Sequence, residues 1–91
     1  KAMWVMGDNT VVADTDSEKT VAAFRKLDFL VVQALFMTRT AQEAHVVFPA
    51  AAFAELDGTY AHSERRVQRV RTAVEPPGVA KPDWSVVQEV P

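Results

Sequence analysis

Apolar runs alternate with polar segments along the first half of the chain, at residues 2–6, 29–32 and 46–48. The four consecutive apolar residues at 29–32 are typical of a strand that is buried on both faces. Between the first two runs, the spacing of Val21, Phe24 and Leu27 places them on one side of a predicted helix. The order strand, helix, strand, helix, strand predicts an α/β fold with a parallel sheet, flanking helices and right-handed crossovers.

Helix starts are predicted from capping residues. Thr15 followed by Glu18 has the form of a capping box, in which each side chain bonds the backbone amide of the other residue. Thr40 followed by Glu43 has the same form and predicts a very short helix. Asp83 is the predicted N-cap of the last helix.

The second half is less regular. Residues 57–59 have turn chemistry, a polar and basic stretch continues to Arg71, and residues 75–78 resemble an extended linker. We assign residues 1–78 to one partial domain and residues 79–91 to a linker and the start of a following helix. The chain opens within a strand-like run and closes within a helix-like pattern, so we expect an internal piece of a longer protein.

Charge and composition narrow the class of function. A formal charge of −2 and a pI near 5.6 argue against nucleic acid as a partner. The absence of cysteine excludes disulfides, zinc–thiolate sites, iron–sulfur clusters and a cysteine nucleophile. Two histidines alone make a poor metal site, and His62, Ser63 and Glu64 lie too close in sequence to form a triad. No apolar run approaches the ~20 residues of a membrane span. We expect a cytoplasmic location, with the periplasm as the open alternative.

Ligands of open parallel sheets bind beyond the carboxyl ends of the strands. Three segments occupy that position, at residues 7–10, 33–40 and 49–53. The first supplies a glycine, a carboxylate and an amide; the second is rich in hydroxyls just before a predicted helix start, where free amides favour phosphate. Together they suggest a nucleotide site. The alternatives are ordinary turn chemistry at Asp8 and Asn9, and helix caps at Thr38 and Thr40.

Several segments resemble the molybdopterin oxidoreductase family, and the match extends along essentially the whole chain. Val5 to Thr10 resembles the family's Met-Gly-Glu-Asn-Pro turn, and 44–51 is similar to its Ala-Asp-Val-Val-Leu-Pro-Ala-Ala segment. The other matching segments are residues 27–33, 36–41, 55–60, 63–68, 76–78 and 81–84. Within the family, residues 64–70 followed by 73–78 favour formate dehydrogenase.

The resemblance implies a bis-(molybdopterin guanine dinucleotide) cofactor that holds molybdenum or tungsten, and a Rossmann-like domain that holds its nucleotide arms. The positions that match cofactor-facing loops of the family are Gly7, Asp8, Asn9, Gln33, Met37, Thr38, Thr40, Asp57 and Gly58. The basic segment from Arg65 to Arg71 either faces the anionic cofactor or pairs internally, and both alternatives stay open.

The chain also departs from the family pattern, which puts individual contacts in doubt. Thr10 stands where proline is common, Ala34 and His45 where aspartate is common, and His62 where asparagine is common. The family's metal-ligating cysteine or selenocysteine and the cysteines of its 4Fe-4S cluster have no counterpart here. The resemblance therefore implies no catalytic and no metal-binding residue in this chain, and no activity without its parent protein.

The parent implied by the resemblance is a formate dehydrogenase large subunit that oxidises formate to carbon dioxide. Its expected partners are the remainder of that subunit and electron-transfer subunits, and exposed apolar surface is expected to favour self-association of the isolated piece. The alternatives are nitrate reductase, a scaffold segment of the kind found in the large subunit of respiratory complex I, and a separate interaction module. Molybdenum or tungsten in the parent would distinguish an enzyme from a scaffold.

Overall fold

The computed structural model describes residues 1–91 and divides them into two compact units, Lys1–Ala50 and Ala51–Pro91. The first unit contains strands β1 (Ala2–Met6), β2 (Phe29–Ala34) and β3 (Val46–Pro49) with helices α1 (Thr10–Ala13), α2 (Ser17–Arg25) and α3 (Arg39–Gln42). The second contains a 3-10 helix (Phe53–Glu55), strands β4 (Gly58–Ala61) and β5 (Val67–Val70), and helix α4 (Asp83–Glu89). The domain boundary predicted after residue 78 concerns the longer protein and stays a prediction.

The strands of the first unit form a parallel sheet in the order β1-β2-β3. The central strand β2 is the most buried, because residues 30–33 are all inaccessible to solvent or nearly so. Gln33 stands opposite Met6 on one side and opposite Phe48 on the other. The predicted α/β fold with a parallel sheet and flanking helices is therefore confirmed.

One apolar cluster holds the helices against the sheet. Its fully or almost fully buried members are Val11, Phe24, Leu30, Val32 and Ala41. Val21 and Leu27 pack against the cluster, as their helical spacing predicts. Burial of each large aliphatic or aromatic side chain contributes roughly 1.5–3 kcal/mol, so this cluster is the main source of stability in the first unit.

The predicted N-cap of α2 is wrong by one residue. Asp16 is the cap, and its carboxylate accepts a hydrogen bond from the Lys19 amide at 3.1 Å. The Thr15 hydroxyl instead points back to the Asp14 carboxylate at 3.4 Å. Aspartate is at least as good a cap as threonine, and the choice between neighbouring candidates depends on where the preceding segment ends.

The other two caps also differ from prediction. Thr38 caps α3, since its hydroxyl accepts from the Ala41 amide at 3.1 Å, whereas Thr40 lies inside the helix and is fully buried. Pro82 occupies the N-cap position of α4, and Asp83 is the first residue of that helix. An acidic side chain in the first turn still favours the helix, because it faces the positive end of the helix dipole.

Four elements were absent from the sequence prediction: helix α1, the 3-10 helix and strands β4 and β5. Helix α1 follows directly on the turn after β1, and β4 pairs with β5 as an antiparallel hairpin. The turn predicted at residues 57–59 is wrong, because Gly58 and Thr59 belong to β4. In the actual hairpin turn, the His62 amide donates to the Arg66 carbonyl at 2.7 Å, and Arg65 adopts a left-handed backbone with φ of 62°.

None of the helices has the length and apolar character needed to cross a membrane.

Candidate functional site

The carboxyl edge of the parallel sheet brings the segments after β1 and β2 together. The Gly7 amide donates to the Gln33 carbonyl at 3.0 Å, so the loop after β1 leaves from beside the end of β2. Gly7 has a φ of +67°, which side chains rarely tolerate, and nothing lies within 4 Å of the position of an added Cβ. The backbone at Gly7 is therefore open to close approach by a ligand.

Asn9 is held by both its backbone and its side chain. Its carbonyl accepts hydrogen bonds from the amides of Val12 and Ala13, each at 2.9 Å, and these bonds start helix α1. Its side-chain oxygen Oδ1 accepts from the Thr40 hydroxyl at 2.8 Å. The same hydroxyl accepts from the Val11 amide at 3.0 Å. A half-buried side chain on the loop after β1 is thus fixed by a residue of α3.

The loop after β2 presents a different mixture of groups. Met37 is exposed over 65% of its surface, and Phe36 before it over 78%. Thr38 is half-buried, with its hydroxyl already engaged in capping α3. The Ala41 amide at the start of α3 is satisfied by Thr38, so it is not free for a ligand. The phosphate site expected at this helix start stays a prediction.

Carboxylates give the same region a local negative charge. The exposed Asp8 side chain accepts from the Thr10 hydroxyl at 2.6 Å. Asp14 at the end of α1 accepts from the Thr20 hydroxyl at 2.7 Å, and this bond is the main reason that the pKa of Asp14 lies below its usual 3.8. The exposed Asp8 carboxylate is thus an acceptor for hydrogen-bond donors of a ligand at this edge.

The remaining two predicted site residues belong to the second unit. The Asp57 carboxylate accepts from the Thr72 amide at 2.9 Å, which fastens the segments on either side of the hairpin. Gly58 pairs with Val70 in the ladder, and an added Cβ would lie 3.5 Å from Leu56 Cδ1. The structure thus gives Asp57 a local structural role, while its predicted contact with a cofactor stays a prediction.

The four arginines of the hairpin make no ion pair. The salt bridges of the chain join the amino terminus to Asp28, Arg25 to Glu43, and Lys81 to Glu89. Internal pairing, one of the two alternatives for Arg65 to Arg71, is therefore absent. Residues 58–71 carry four arginines against one glutamate, whereas the rest of the chain has six basic and eleven acidic side chains. Positive charge is concentrated in the hairpin.

His45 has a role that the sequence did not suggest. Its ring nitrogen Nδ1 accepts from the Leu30 amide at 2.9 Å, and its own amide donates to the Leu30 carbonyl at 2.9 Å. The ring also stacks on Phe29, with centroids 5.7 Å apart. His45 thus extends the pairing of β3 with β2, and no group of three or more potential metal ligands occurs in the chain.

Comparison with known proteins shows a similarity that extends along the whole chain. The family model for molybdopterin oxidoreductases matches residues 1–91. The chain is 49% identical over 90 residues to the alpha subunit of an F420-dependent formate dehydrogenase from Methanocaldococcus jannaschii. It is 50% identical over 90 residues to the alpha subunit of F420-dependent formate dehydrogenase 2 from Methanococcus maripaludis. Each match covers 99% of the chain and 13% of the relative's length.

Proposed function

This chain belongs to the molybdopterin oxidoreductase family, and we propose that it is a cofactor-holding segment of a formate dehydrogenase catalytic subunit. In the proposed reaction, formate is oxidised to carbon dioxide with release of one proton and two electrons. The choice of reaction is supported by the alpha subunits of two formate dehydrogenases, which are 49% and 50% identical to this chain in sequence. The matched region is 13% of their length, so the rest of the subunit and the electron-transfer subunits are the proposed partners.

The observation that carries the proposal is the open carboxyl edge of the sheet. Ligands of parallel α/β sheets bind beyond this edge, where Gly7 leaves space for close approach and the Asn9 side chain is held by Thr40. We assign Gly7, Asp8, Asn9, Met37 and Thr38 to direct positioning of the guanine dinucleotide. We assign Gln33 and Thr40, both fully buried, to holding these loops in place.

The residues of this chain suit the nucleotide arm of the cofactor rather than its metal. The chain provides hydrogen-bond donors and acceptors at the edge, but no cysteine that could ligate a metal. When bound, the pterin-held molybdenum or tungsten would supply the two-electron redox chemistry. The residues of this chain would orient the nucleotide and exclude water from it, so we propose that catalysis needs the remainder of the subunit, including its 4Fe-4S cluster.

The composition of the purified full-length protein tests the proposal. We expect close to one molybdenum or tungsten atom per polypeptide by mass spectrometry of metals, and GMP after acid hydrolysis. Iron without either metal would contradict the proposal and indicate an electron-transfer scaffold. Formate-dependent reduction of an artificial acceptor dye then tests whether formate is the substrate. Reduction of nitrate without oxidation of formate would contradict this choice of substrate.

Substitution of Asn9 tests the site itself. In the Asn9→Ala protein, we expect roughly tenfold weaker retention of the nucleotide, because a directed hydrogen bond is lost. Gln42→Ala is the matched control, since Gln42 carries an exposed carboxamide with no hydrogen bond of its own. Cofactor content that is the same in the Asn9→Ala, Gln42→Ala and unsubstituted proteins would remove Asn9 from the site.

A further inference from the structure

The hydroxyl of Thr40 fixes the direction of the Asn9 carboxamide. A hydroxyl has one proton and two lone pairs. One lone pair of Thr40 Oγ1 accepts from the Val11 amide at 3.0 Å, and its proton is donated to Asn9 Oδ1 at 2.8 Å. Oδ1 is used in this way and Nδ2 has no hydrogen bond within the chain, so Nδ2 is the Asn9 group available to a ligand.

The arrangement is buried on the Thr40 side. Thr40 has no solvent exposure and belongs to α3, while Asn9 is half-buried and has no other side-chain hydrogen bond. Val11, whose amide completes the arrangement, is a fully buried member of the apolar core. With the Asn9 amide flipped, Nδ2 could donate to the second lone pair of Thr40, but the fully buried Thr40 hydroxyl proton would lose its acceptor Oδ1. The cost of an unsatisfied buried donor therefore favours the observed orientation.

We propose that Thr40 is a positioning residue that makes Asn9 a hydrogen-bond donor toward the bound ligand. The ligand atom that Asn9 meets must then be an acceptor, such as a phosphate, carbonyl or ring-nitrogen atom of the nucleotide. This inference rests on the proposed function for the identity of the ligand, but not for the Thr40–Asn9 link. The neighbouring Asp8 carboxylate is an acceptor. Asn9 would therefore bind an acceptor atom of the ligand, and Asp8 would bind a donor group of the same ligand.

The first test measures GDP affinity calorimetrically in the cofactor-free full-length protein, with ADP as the control nucleotide. Thr40→Val keeps the shape and removes the hydroxyl, whereas Thr40→Ser keeps the hydroxyl. We expect about tenfold weaker GDP binding for Thr40→Val and recovery to within about twofold for Thr40→Ser. In an Asn9→Ala background, Thr40→Val should have no further effect, because its influence passes through Asn9.

An equal loss caused by Thr40→Val in both backgrounds would overturn the inference, since the role would then be structural. The second test needs no ligand. The side-chain amide resonances of Asn9 in nitrogen-15 NMR spectra should shift in Thr40→Val and return in Thr40→Ser. Unchanged resonances in Thr40→Val would also overturn the inference. If the resonances shift but GDP binds to no variant, the positioning link holds and the proposed function fails.

Discussion

Arg25 and Glu43 form a two-point ion pair, with Nε 2.9 Å from Oε2 and Nη2 3.0 Å from Oε1. The pair joins the last residue of α2 to the residue that follows α3. The Glu43 side chain is 20% exposed, whereas Arg25 is 68% exposed. Parallel hydrogen bonds of this kind are more specific in geometry than a single contact, so the pair links the end of α2 to the end of α3 in one defined arrangement.

We expect the Arg25→Gln protein to lose less stability in acid than the unsubstituted protein. The hydrogen bond from Arg25 holds the pKa of Glu43 below its usual 4.5. Stability from a lowered carboxyl pKa is complete above the usual value and is lost as the pH falls through the lowered one. NMR titration of Glu43 should show its pKa rise in Arg25→Gln. Lys26→Gln is the control, and equal Glu43 titration in all three proteins would contradict the prediction.

His45 should be replaceable by asparagine but not by alanine. Leu30 is fully buried and its amide bonds to the His45 ring, so loss of the acceptor leaves a buried donor unsatisfied. We expect His45→Ala to lower the free energy of unfolding by about 1–3 kcal/mol. His45→Asn loses the stacking on Phe29 but keeps an acceptor. Urea unfolding at neutral pH measures the difference, and equal stability of the two variants would exclude a contribution from this hydrogen bond.

Replacement of Arg65 by glycine should stabilise the chain. Arg65 has a φ of 62° in the hairpin turn, where a side chain is strained by ~1–2 kcal/mol. Glycine relieves this strain but adds freedom to the unfolded chain, so we expect a net gain of about 0.5–1 kcal/mol. Arg69→Gly in strand β5 is the matched control, and it should be destabilising by a similar amount. A lower thermal midpoint for Arg65→Gly than for the unsubstituted chain would refute the prediction.

Two variants of Asp57 distinguish a structural role of this residue from a role in cofactor binding. Its carboxylate accepts from the Thr72 amide, and asparagine can accept in the same way. We expect Asp57→Ala to lower the unfolding free energy by about 1 kcal/mol, with Asp57→Asn close to the unsubstituted protein. Cofactor content of the same variants gives the second readout. A loss of cofactor in Asp57→Asn without a loss of stability would show that the negative charge itself contacts the ligand.

The parallel sheet could be predicted from sequence because its central strand has an unambiguous pattern. Residues 29–32 are apolar without interruption, and the structure buries residues 30–33. The hairpin could not be predicted, because its turn places Arg65 where glycine or asparagine is the usual signal. Helix α1 was equally hidden, since four residues with two adjacent valines carry no helical period.

The candidate site was predictable in outline and not in its contacts. Strand order alone brings the segments after β1 and β2 to one edge, which is why Gly7 and Gln33 were both expected there and lie within hydrogen-bond distance. The bond from Thr40 to Asn9 spans 31 residues of sequence. A threonine near a helix start is equally compatible with a cap, so only the three-dimensional position of α3 distinguishes the two roles.

The span of that bond also sets when the loop after β1 can acquire its final shape. Asn9 leaves the ribosome long before Thr40, and during synthesis its side chain has no partner from α3. The loop-closing entropy is offset only once β2 has paired and α3 has docked on the core. The carboxyl edge is therefore completed late in folding, when the sheet behind it already exists, and the proposed nucleotide site would form only at that stage.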